Sequence, residues 1–134
     1  MKKLILLLVS SMLSSCALIE AYQMKPFDPN EYQLITEIRV DARQYKTECV
    51  DAIQSKTNAY ILMRKSELFM SYSEHIPYNN NVTKASIELN SMAKGIAEQY
   101  QKNDKVSPVF CKIKFETIEH SAETIQKVIG DKPR

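Results

Sequence analysis

The sequence predicts an all-α protein: a three-helix antiparallel bundle with one long first helix, stapled by a disulfide. Three observations predict it. Apolar residues recur at seven-residue spacing through most of the chain from residue 29 onward. All five prolines sit at or beyond the ends of the helices that this spacing defines. Two of the three cysteines, Cys49 and Cys111, fall on the inward seam. With 134 residues there is enough chain for one small domain. Two glycines are too few for a flexible linker or a phosphate-cradling loop, and no internal repeat is present.

The first helix starts at the stretch DPNE, residues 28–31. Asp28 can cap free N–H groups, Pro29 suits the first turn, and Glu31 occupies the capping-box position. From there to Pro77 no proline or glycine intervenes. Ile35, Ala42, Cys49, Lys56, Met63 and Met70 form one heptad set, and Ile38, Tyr45, Ala52, Ala59 and Ser66 form the other. Lys56 and Ser66 weaken this seam, and Leu34, Ile53 and Tyr60 widen it. A helix over residues 29–75 would be about 70 Å long and would need a partner for its apolar face.

HIPYNNN, residues 75–81, is the next turn: Pro77 stops the helix and the asparagines supply caps. Asn81-Val82-Thr83 matches a glycosylation acceptor but reads here as a helix cap. Val82, Ala85, Leu89, Met92, Ile96 and Tyr100 stripe the second helix, and Gly95 inside it points to close packing. KNDKVSP is the second break. Ser107 and Pro108 then open a third helix, and Gly130 closes it as a left-handed cap. Its seam is Cys111, Ile118 and Ile125 with Phe115, Ala122 and Ile129. Residues 109–118 also read as a strand at period two, but the heptads run on to Ile129 and no partner strand is evident.

Counting 1.5 Å per residue up, down and up again brings Cys49 and Cys111 to similar heights, so the two are expected to form a disulfide. The same count leaves the lower half of the long helix uncovered. Residues 30–48 are then expected to form a stalk whose Ile35, Ile38, Ala42 and Tyr45 bind another copy or another protein. The alternative is a break near Ser55–Asn58 that folds the helix back into a compact bundle. Tyr72 and Tyr78, near the far hairpin, are candidates for a recognition tip.

The N-terminus fixes an expected location. Lys2 and Lys3 precede an apolar run, LILLLVSSML, of secretory length and about half a membrane span. Leu13-Ser14-Ser15-Cys16 resembles the lipobox of bacterial lipoproteins: an aliphatic residue, two small ones, then cysteine. The resemblance covers only the first 17 residues or so. It implies a signal peptide over 1–15 and a lipid-modified (palmitate-type) Cys16; the lack of a sustained period then marks a tether over 16–28, and the heptads mark a helical domain over 29–134. Each buried methylene contributes about 0.8 kcal/mol, so a multiply acylated Cys16 would anchor without a spanning helix. In two-membrane bacteria Asp after the cysteine favours inner-membrane retention; Ala17 therefore implies the periplasmic face of the outer membrane. An oxidising compartment suits the expected disulfide.

No reaction is legible. Removing Lys2 and Lys3 from the 18 basic residues leaves 16 against 16 acidic ones, a balance unlike that of nucleic-acid binders. His75 and His120 are the only histidines and stand in no metal-ligand spacing; no metal or other cofactor is expected. No nucleophile elbow and no C-x-x-C pair exist. Met63, Met70 and Met92 sit at core spacing as filler. The expected function is a non-enzymatic protein-interaction role at the envelope: an assembly or accessory factor, or a phage- or plasmid-type exclusion or lysis protein. The alternative is an inhibitor or binder of a periplasmic enzyme.

Overall fold

The computed structural model describes residues 25–103 and 105–134. The leader, Cys16 and the first part of the tether lie outside the described residues. Among the described residues four helices follow in order: α1 Pro29–Tyr45, α2 Ala52–Glu74, α3 Asn80–Lys102 and α4 Pro108–Gly130. Each packs on its sequence neighbour, and α1 packs on α4 to close the ring. Short connections at 46–51, 75–79 and 103–107 make consecutive helices antiparallel. The all-α class and the disulfide hold; the three-helix arrangement does not.

The expected long helix breaks at 46–51. Asp51 causes the restart: its carboxylate accepts from the Ile53 and Gln54 backbone N–H groups, both at 2.9 Å. Glu48 braces the connection by accepting from Gln44 Nε2 at 2.9 Å and Asn58 Nδ2 at 2.6 Å. The chain does fold back, but earlier than Ser55–Asn58. Beyond the break the buried face of α2 is Ser55, Asn58, Ala59, Leu62, Ser66, Phe69 and Ser73, so the line Lys56–Met63–Met70 is not its seam. Between α2 and α3, Ser66 Oγ donates to Asn90 Oδ1 at 3.1 Å.

The heptads of α4 hold in full: Cys111, Phe115, Ile118, Ala122, Ile125 and Ile129 are all buried. In α3, Val82, Leu89, Ile96 and Tyr100 are buried, Ala85 is half-buried and Met92 is exposed. The region 109–118 is helical. Two glycine expectations fail. Gly130 ends α4 without a positive φ; a Cβ there would meet Tyr32 Cε2 at 3.3 Å, so it makes room for an aromatic ring. A Cβ on Gly95 would meet nothing within 4 Å, so no close packing calls for it. The hairpin uses Tyr78 as its left-handed residue, at φ 60°.

Candidate functional site

The fold gives the bundle two unlike ends. At one, the 46–51 connection is joined to the first turn of α4 by the Cys49–Cys111 disulfide, with Cα atoms 5.8 Å apart. Both cysteines are buried. Around them stand highly exposed aliphatic side chains: Val50 at 86%, Ile53 at 82% and Val109 at 67%.

At the other end the two described chain ends meet the 75–79 hairpin. Asp28 caps α1 through the Asn30 and Glu31 N–H groups and also accepts from the Tyr72 hydroxyl at 3.2 Å. Burial opposes ionisation of Asp28, but these donors and Lys25 outweigh it and lower its pKa. Glu31 does not close a capping box back onto Asp28. Its side chain turns inward and is fully buried. Its carboxylate accepts from Ser73 Oγ at 3.0 Å, from Asn79 Nδ2 and from Lys132 Nζ at 2.9 Å. Lys132 also donates to Asn79 Oδ1 at 2.7 Å. One cluster thus ties the start of α1, the last turn of α2, the hairpin and the residues after α4.

A second clamp joins α1 to α4. Arg43 Nε and Lys46 Nζ donate to the two oxygens of Glu119 at 2.7 and 2.6 Å. The Arg43 hydrogen bond, then that from Lys46, holds the Glu119 carboxyl below its usual pKa, and the same pairing raises that of Arg43. On α2, Lys65 reaches Asp41 at 2.7 Å, which raises the lysine pKa. A shallow cleft of about 450 Å³ lies between α1 and α4 near the chain ends. Arg39 and Lys127 line it together with Glu123 and Asp131, so its charges are mixed.

The expected interaction residues are dispersed. Ile35, Ile38 and Ala42 are core residues at 0% exposure, because α4 and α2 cover α1; the stalk of residues 30–48 does not exist. Tyr45 is half-buried edge-on to Phe115, with ring centroids 5.8 Å apart. Tyr72 is a framework residue at the Asp28 cap, while Tyr78 is 70% exposed. Both lie at the end where the chain enters the bundle, not at a far tip. His75 Nδ1 pairs with the Ser71 carbonyl, and His120 lies 3.8 Å from Glu123. Among the described residues no three of His, Cys, Asp and Glu come together, and no helix is long and apolar enough to cross a membrane. The Glu31–Lys132 cluster was missed in the sequence. Glu31 and Lys132 are 101 residues apart, and a Glu in a first helical turn reads as an ordinary capping residue, so no signal in the sequence points to the cluster.

Comparison with family models, with curated proteins and with solved structures returns no match.

Proposed function

We propose that this chain is a lipid-anchored cell-envelope protein that works by protein contact rather than by catalysis, on the periplasmic face of the outer membrane. The observation that carries the reading is the Cys49–Cys111 bridge in a chain that carries Leu13-Ser14-Ser15-Cys16 behind an apolar run. Its buried sulfurs belong to the folded framework, and such frameworks persist in oxidising compartments. The lipobox-like leader directs a chain to that side of a membrane and supplies the nucleophile for acylation.

The geometry gives the reading a polarity. Lys25 enters at the end formed by the hairpin and Lys132, which supports an orientation with that end toward the bilayer. The disulfide end, with Val50, Ile53 and Val109 exposed, then lies farthest from it. Helices of 23 residues set that reach at about 35 Å. The polar clusters support a non-catalytic role because their carboxylates, Glu31, Glu119 and Asp28, are engaged by framework donors.

The test is metabolic labelling with a radioactive fatty acid, followed by fractionation. The full chain is expected to carry label and sediment with membranes, and Cys16→Ala to lose both. An unlabelled wild-type chain that stays in the soluble fraction overturns the anchor.

A further inference from the structure

After α4 the chain does not trail off. Lys132 is drawn into the bundle, with its side chain 6% exposed, onto Glu31 and Asn79. Pro133 then accepts a backbone hydrogen bond from Phe27 N–H at 2.8 Å, and the Arg134 guanidinium lies 5.3 Å from the Phe27 ring centroid. Phe27 packs in turn against Tyr32, at 5.5 Å between ring centroids. The incoming strand at 25–28 is therefore held by three kinds of contact from the outgoing one: main chain, cation–π and, one turn further in, a buried ion pair.

We propose that residues 131–134 are a strap that fixes where the N-terminal tether leaves the bundle. The cap at Asp28 secures α1 from Pro29 onward but makes no bond to the Phe27 amide. The strap alone supplies that bond and closes over the ring. Lys132 is its pin: buried and doubly bonded, it keeps Pro133 opposite Phe27. The chain is thus held at Phe27, beside Arg134, at the end of the bundle opposite the disulfide. The use of this device, holding an anchored bundle in one orientation, rests on the proposed anchorage; the strap itself does not.

Amide hydrogen exchange on the purified full chain tests it. Deleting only Pro133 and Arg134 leaves the Lys132–Glu31 pair in place, so the fold survives. The Phe27 amide is expected to exchange roughly tenfold faster or more, with mid-helix amides of α2 and α4 unchanged. Lys132→Met is expected to extend the loss into the first turn of α1. A Phe27 amide equally protected in the truncated and full chains overturns the strap, as does, in the truncated chain, a rise spread evenly over the four described helices. Neither result bears on acylation of Cys16, which labelling reads separately.

Discussion

Replacing Lys132 with Met probes the central electrostatic feature of the fold. The side chain keeps its volume but loses the ammonium that pairs with Glu31 at 2.9 Å. Glu31 is fully buried, so its charge cannot recruit water in place of the lost partner. Removing one member of a buried pair costs about 3–5 kcal/mol. Ser73 Oγ and Asn79 Nδ2 remain as neutral donors to the carboxylate, which places the expected loss at the lower end, about 3 kcal/mol. With a urea slope of about 1.5 kcal/mol/M, the unfolding midpoint falls by about 2 M. The assay is urea unfolding followed by helical circular dichroism. A double variant, Glu31→Met with Lys132→Met, removes both charges and is expected to recover most of the loss, since a buried pair adds little over apolar packing. A Lys132→Met loss below about 1 kcal/mol, or a double variant equal to the sum of the singles, refutes the reasoning.

Other outcomes are expected from the same structure. Replacing Cys49 and Cys111 together by Ala opens a loop with a sequence separation of 62 and costs about 4 kcal/mol by the chain-entropy argument, read as a fall in unfolding midpoint. Gly95→Ala, on an exposed helix surface with open space at the new Cβ, is expected to stabilise by about 1 kcal/mol in thermal unfolding. Because its folded pKa is lowered, Glu119 contributes stability that is complete above its unfolded pKa and lost as pH falls through the folded one. Glu119→Gln is therefore expected to lose about 1–2 kcal/mol at pH 7 and to show a shallower decline below about pH 4.5 than the parent, measured by unfolding across pH.

The break between α1 and α2 shows why some of the fold was not legible. Heptad spacing carried apolar or small residues through 42, 45, 49 and 52 without a proline or glycine, so periodicity alone continued the helix. The competing signal was Asp51, a residue type that favours caps and turns over helix interiors but that the apolar spacing on either side outweighed. Its role became clear only because Cys49 had to reach Cys111 and α1 had to cover α4. Placing α1 inside the ring then buried Ile35, Ile38 and Ala42 and removed the apparent interaction stripe. Tyr72 and Tyr78 moved from a distant tip to the entry end for the same reason: an extra helix reverses the direction of everything after it. The α4 seam, by contrast, was fully readable, because Ser107, Pro108 and an unbroken repeat agree at every level.

Local chemistry written along the chain determined that the described residues are helical and where three of the four described helices end. The helical features depend on residues close in sequence; the disulfide pairing holds, but the height count behind it assumed an unbroken first helix, whereas Cys49 lies in the 46–51 connection. Tertiary structure alone decided the number of helices, which faces are free, and that Glu31, Asn79 and Lys132 form one buried cluster at the chain ends. Such a cluster has no local signature. A charged residue is driven inward only when distant partners supply the hydrogen bonds that water would otherwise provide, and those partners are assembled by the fold.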